Sequence, residues 1–339
     1  MNSNKKFVFV LGAGASKDYG YPTGSELIEL ITEFNNDAGF LNAMNNVGIS
    51  KKDIGIFVDT LKKSGLNSID AFLARAVDSS GKQPIDFEKI GRASITYAIL
   101  YSEKASKGND LPFRFNDNWY RHLFSFLNDD YSALTDGRIR FLTFNYDLSL
   151  EYFIATSYRI RNYLHTMSDE ERRDYLQFIS DIEILNIYGQ VGKVTEYDKD
   201  GKGREYGSDS LNLDADYPFW QIAEKIQIVR PDATGEAKTL FERAQQYLSE
   251  SDYVFFLGFG FDYLNMERLR LHEIFQTNIA HKRFYVTAYK ADNSSIYDFQ
   301  NRIFHHKELE RDICRIGKKD ENIVSFLKDN CFILSQLKD

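Results

Sequence analysis

Residues 7–16 read Phe7-Val8-Phe9-Val10-Leu11-Gly12-Ala13-Gly14-Ala15-Ser16, an uncharged apolar run that passes straight into a glycine turn. Five bulky residues in a row fit a strand buried on both faces, the situation of strands inside a parallel sheet. Gly12 and Gly14, one residue apart, permit a sharp turn and a close backbone approach that a Cβ would block. A helix starting near Ser16 would aim its free N–H groups and positive dipole end at the same place, a ready anion site. The dinucleotide fingerprint asks for a third glycine at position 17, where this chain has Lys17.

Working outward, strand candidates recur at Phe7–Leu11, Ile139–Phe144, Ile182–Tyr188, Tyr253–Leu257 and Phe284–Ala288, separated by helical stretches. That alternation predicts an α/β fold, a parallel sheet with helices on both faces. Between the first two strands lies a large, mainly helical insertion, about residues 25–136, with helical spacing in Ser25–Phe34 and Trp119–Leu127. Pro112 breaks any helix across Asn109–Asn118. Ser168-Asp169-Glu170-Glu171 has the form of a capping box opening a helix over Ser168–Ser180. Thr195–Tyr217, rich in Asp, Lys and Gly, reads as an exposed loop or hairpin. Residues 1–293 are expected to form one domain, and 294–339 a helical C-terminal extension. Its paired His305 and His306 point about 100° apart on a helix and do not share a metal there.

Composition narrows the classes. With 339 residues, 43% of them hydrophobic and 15% aromatic, the chain can bury a large core. A formal charge of −8 gives no bulk attraction to nucleic acid or anionic membrane. No apolar stretch reaches the 18 or so residues of a membrane span, and the five-residue run after Lys6 is too short for a secretory leader. Cys314 and Cys331, the only cysteines, cannot make a four-cysteine zinc site. A cytoplasmic, zinc-free protein is expected.

Three further strand ends carry polar or glycine turns. Thr143-Phe144-Asn145-Tyr146-Asp147 sets Asn145 and Asp147 just past an apolar strand. Asn186-Ile187-Tyr188-Gly189 and Leu257-Gly258-Phe259-Gly260 follow two others. Ligands of open parallel sheets sit outside the carboxyl ends of the strands, so four such ends converge on one crevice.

In this order, Gly12-Ala13-Gly14-Ala15-Ser16, Gly20-Tyr21-Pro22, Thr143-Phe144-Asn145-Tyr146-Asp147, Tyr188-Gly189 and Gly258-Phe259-Gly260 resemble the sirtuin-like superfamily. The similarity is greatest to the bacterial sirtuin-like NAD hydrolases of antiphage defence, a group in which a segment like Ser68-Ile69-Asp70-Ala71-Phe72-Leu73 is also frequent. The resemblance spans about residues 7–290 and implies a Rossmann-like domain. It implies a site for NAD in which Gly12, Ala13, Gly14 and Ser16 surround the cofactor phosphates, Pro22 belongs to the same cofactor site, and Gly258 and Gly260 line the adenosine side. Asn145 matches the asparagine at the nicotinamide ribose, and Asp147 the acidic position beside it. The implied reaction is cleavage of the ribose–nicotinamide bond through an oxocarbenium-like transition state, in which placement and a negative surround matter more than an acid.

Three departures qualify what the resemblance implies. Where the family has a catalytic histidine before glycine, this chain has Tyr188, or Asn186 if the position falls two residues earlier. No four-cysteine zinc module follows. Thr23-Gly24-Ser25 replaces the phenylalanine–arginine segment of the deacylases, so deacylation is not expected. The expected activity is an NAD glycohydrolase that depletes NAD in antiphage defence under the control of an operon-encoded partner or self-assembly. The alternative is a catalytically silent NAD- or ADP-ribose-binding subunit of a defence complex.

Overall fold

The computed structural model describes residues 5–78, 85–127, 131–195, 203–208, 219–228, 235–261, 263–278, 282–304 and 313–337. Six strands, β1 (Phe7–Leu11), β2 (Ile139–Thr143), β3 (Ile184–Asn186), β4 (Tyr253–Leu257), β5 (Arg283–Val286) and β6 (Cys314–Ile316), form one sheet. Its order is β3-β2-β1-β4-β5-β6 and every pairing is parallel. The fold is α/β and Rossmann-like, with the strand order of doubly wound dinucleotide domains. β1 is buried along its whole length, as a central strand covered by helices on both faces must be.

Side chains fix the register. Phe9 faces Phe141 and Phe255, and Phe255 faces Tyr285, as direct partners on neighbouring strands. Their rings stack at 5.6, 5.1 and 4.6 Å, an aromatic ladder across four strands. Each such pair contributes about 0.5–1.5 kcal/mol beyond its burial. Slipping one strand by a residue would turn its rings to the opposite face. The ladder thereby levels the strand ends, pairing Leu11 with both Thr143 and Leu257, and brings the turns that follow them together.

The insertion between β1 and β2 is helical as expected: α1 (Gly24–Glu33), α2 (Ala38–Asn46), α3 (Lys51–Lys63), α4 (Ile69–Asp78), α5 (Phe87–Gly108), α6 (Trp119–Ser125) and α7 (Ser132–Thr135). α5 is its hub and buries Ser94, Thr96 and Glu103 along with its apolar residues. After β2 comes α8 (Ser149–Asn162), and a helix over Asp169–Asp181 opens with the Ser168–Glu171 capping box.

The structure corrects three expectations. No α-helix follows Ser16: two short 3₁₀ turns, Ala13–Ala15 and Lys17–Tyr19, intervene, and the first α-helix starts at Gly24 behind a Thr23–Glu26 capping box. Tyr19, in the second of these turns, and Tyr21, just after it, are buried in the core. The C-terminal segment is not helical throughout, since β6 adds a strand to the sheet edge. Three residues between charged neighbours carry too little periodicity to reveal it. Finally, of Thr195–Tyr217 the described part, Thr195 and residues 203–208, is not simply exposed, since Arg204 and Tyr206 are buried; the remainder of that expectation lies outside the described residues. His281, His305 and His306 lie outside the described residues.

Candidate functional site

The glycine turns after β1 and β4 interlock. The Gly12 N–H donates to the Leu257 carbonyl and the Gly14 N–H to the Gly258 carbonyl, each at 3.0 Å. A Cβ on Gly12 would lie 2.5 Å from Gly258 O, and one on Gly258 would lie 2.1 Å from Ala15 N. Gly258 is also left-handed, with φ of +59°. These three glycines therefore serve the approach of one turn to the other. Gly260 is left-handed too, but a Cβ there would meet open space.

Beside this junction the chain leaves β2. The Asn145 N–H is held by Thr143 Oγ1 at 3.0 Å, which turns the backbone out of the sheet. The Asn145 amide then reaches back across the strand ends: Nδ2 donates to Gly12 O at 3.0 Å and to Ser16 Oγ at 2.9 Å. Because a carbonyl only accepts, the bond to Gly12 fixes which end of the amide is nitrogen. Oδ1 is thus presented elsewhere, and it is buried without a donor among the described residues. An unpaired buried acceptor costs about 1–3 kcal/mol. Two residues on, Asp147 accepts from the Ser149 N–H at 3.0 Å and from the Ser149 and Ser16 hydroxyls, pinning the start of α8. Burial raises the Asp147 carboxyl above the ordinary aspartate value, against the pull of those hydroxyls.

Ala13, Ser16, Pro22, Asn145 and Asp147 line one cavity, together with Tyr21, Thr23, Leu27, Ile69, Asp70, Ile99, Phe144 and Tyr146. It measures about 60 Å³, room for about four or five waters and far below the several hundred Å³ of a whole-ligand pocket. Among the described residues no histidine, lysine or arginine lines it.

The other predicted residues lie apart from this cavity. Tyr188, just past β3, packs its ring against Phe144 at 5.4 Å and Tyr146 at 6.4 Å. Its hydroxyl, however, donates to Asn265 and accepts from Arg268 at 2.6 Å. Asn186 turns to α8 and donates to Glu151 at 3.4 Å. Gly12, Gly14, Gly258 and Gly260 are not among the residues that line it. Conversely, sequence reasoning gave no role to Asp70 and Tyr146, whose side chains meet at the rim: the Tyr146 hydroxyl donates to Asp70 Oδ1. The quoted Ser68–Leu73 segment held the one available signal for Asp70.

The floor is tied to the rest of the molecule through Tyr21. Its hydroxyl bonds that of Tyr206 at 2.7 Å, and Tyr206 also meets Ser106 at 3.0 Å and stacks on Tyr152 at 4.1 Å. Next to Tyr206, Arg204 and Glu103 form a fully buried two-pronged ion pair, one prong being Nη2 to Oε2 at 2.7 Å. Among the described residues no group of three His, Cys, Asp or Glu side chains is placed to hold a metal ion, and no helix is long and apolar enough to cross a membrane.

Compared with models of known protein families and with curated proteins, the chain matches none.

Proposed function

We propose that this protein is an NAD glycohydrolase whose cavity at the ends of β1 and β2 receives the nicotinamide ribose. The observation that carries the reading is Asn145: its amide nitrogen is anchored on Gly12 and Ser16, and its buried oxygen is left unpaired in a residue of the cavity wall. An acceptor fixed in this way suits a ribose hydroxyl or an attacking water, preorganised before the substrate arrives. In the reaction the C–N bond to the ribose breaks and its electron pair passes to the pyridinium ring, which leaves as neutral nicotinamide. Water adds to the cationic ribose carbon and yields its proton to Asp147, whose carboxylate burial has made more basic. The surround of the cavity, acidic and without a cation, favours the positive charge of that transition state. The remainder of NAD would extend outside this small cavity along the ends of β1 and β4, the switch point of the sheet.

Defence against phage by NAD depletion, under a partner or by self-assembly, is part of the proposal and rests on the sequence resemblance. A second reading, a silent NAD- or ADP-ribose-binding subunit, is favoured by the absence of histidine from the cavity lining and by the tie of Tyr188 to Asn265 and Arg268. One experiment decides between them: incubate the protein with NAD, alone and with its operon neighbours, and assay released nicotinamide. Release that disappears in Asn145→Ala supports the hydrolase. Binding of NAD with no release under any condition supports the silent subunit.

A further inference from the structure

A second, larger cavity opens between the last turn of α8, the connection 163–167 and the first turn of the helix Asp169–Asp181. It measures about 540 Å³, within the range of about 300–1,000 Å³ that takes a whole small ligand. It shares no lining residue with the cavity at Asn145. Its charged lining is cationic, Arg159, Arg172 and His165. Among the described residues no aspartate or glutamate lines it, in a chain whose formal charge is −8.

His165 is already turned to Glu171, Nε2 to Oε1 at 3.0 Å. The guanidinium groups of Arg159 and Arg172 make no hydrogen bond or ion pair among the described residues. The helix dipole alone accounts for Arg159, because the last turn of α8 favours a cation. It does not account for Arg172, the fourth residue of its helix, near the end where the dipole opposes positive charge. Asp169 and Glu170, on that same turn, do not line the cavity. Two free guanidinium forks on one space suit a dianionic phosphate, which accepts paired N–H groups from each. Leu164 adds a second requirement. It lines the same cavity and is 86% exposed, more than any other large hydrophobic side chain among the described residues. A bare anion would leave it in water, whereas a ligand with an apolar body would cover it.

We propose that this cavity is a binding site for a nucleoside monophosphate, its phosphate on Arg159 and Arg172 and its base against Leu164 and Met167. The site is separate from the one assigned to NAD cleavage and stands whether or not the protein cleaves NAD.

The test titrates the full chain by calorimetry with adenosine 5′-monophosphate, ribose 5-phosphate, adenosine and inorganic phosphate. The nucleotide should bind about tenfold or more tightly than each of the other three, which lack either the phosphate or the base. Arg159→Gln and Arg172→Gln, at exposed positions and checked by cooperative melting, should each weaken the nucleotide by about tenfold, the lower end for one hydrogen bond to a charged group. Leu164→Ser should weaken the nucleotide and leave inorganic phosphate unchanged. Nucleotide affinity that survives both arginine substitutions places the ligand elsewhere and overturns the proposal. So does a wild-type protein that binds no nucleotide, or one that binds inorganic phosphate or ribose 5-phosphate as tightly.

Discussion

Gly14 and Gly258 meet backbone to backbone: the Gly14 N–H donates to the Gly258 carbonyl at 3.0 Å, and a Cβ on Gly14 would stand 2.9 Å from Gly258 Cα. A bulky residue at position 14 would thus push two strand ends apart before it touched any ligand. Gly14→Val and Gly258→Ala are expected to destabilise the fold by about 2 kcal/mol or more, as overpacking does where backbone is the obstacle. Gly260→Ala, left-handed but facing open space, should cost only the conformational strain of about 1–2 kcal/mol. Denaturant unfolding of the three variants checks this. Equal losses at positions 258 and 260 would show that conformation, and not the interlock, explains the glycines.

The strands were legible because their signal is local. Phe7–Leu11 and Tyr253–Leu257 are apolar runs bounded by glycine, and both appear with the expected limits. The converging turns were legible too, because Asn, Asp and Gly mark strand ends. Contacts across long separations were not. Arg204 reads as one more charge in a polar segment, yet it pairs with Glu103 at a separation of 101 residues. Asp70 and Tyr146, 76 residues apart, meet because the first turn of α4 lies beside the loop that follows β2. The glycines were assigned to a ligand on pattern alone, and no pattern shows that the partner in close approach is another glycine turn.

Arg204 and Glu103 are both almost wholly buried, and Glu103 also accepts the Gly207 N–H at 2.7 Å. Arg204 Nε in turn donates to Val191 O at 2.7 Å. Removing one member of such a pair strands a charge in the core, so Arg204→Ala should cost about 3–5 kcal/mol. Replacing both with apolar residues should cost much less, because neither charge is then left behind. Chemical denaturation of the single and double variants measures the difference. A double variant as unstable as the single one would mean that the pair itself, more than the orphaned charge, holds residues 203–208 in place.

Glu151 is buried on α8, and burial, aided by the charges of Asp147 and Glu103, pushes its carboxyl up to about 8 from 4.5. Between those two values the folded protein holds a proton that the unfolded chain has released. Raising the pH through this window therefore favours unfolding, by up to about 1.4 kcal/mol per pH unit for one proton. Stability from this group is highest at the acidic end and has been lost by pH about 8. Glu151→Gln keeps an acceptor for Asn186 and removes the titration. Its melting temperature should change less than that of the wild type from pH about 5 to 8. Parallel curves for the two proteins would show that Glu151 does not hold that proton.

Asn145 is the residue on which the catalytic reading stands, and its structural and chemical roles separate in a pair of substitutions. Asn145→Ala removes the donor to Gly12 O and Ser16 Oγ as well as the unpaired Oδ1. It should cost about 1–3 kcal/mol of stability through the two lost hydrogen bonds, the Gly12 carbonyl keeping the Ala15 N–H at 2.8 Å as its donor. It should also lower nicotinamide release by about 10²-fold or more, the effect of deleting one preorganised polar contact. Asn145→Asp keeps the shape and an oxygen at the Oδ1 position but turns an acceptor toward the Gly12 carbonyl, so it should fold less stably still. With no histidine in the lining, no group of ordinary pKa near 6.5 titrates in the step. The proton acceptor is then Asp147, whose carboxyl burial raises, so the wild-type rate should fall as the pH drops through the value of that carboxyl. Release assays on protein first verified by cooperative melting provide the measurement. A folded Asn145→Ala variant with undiminished release would remove this cavity from consideration as the reaction site.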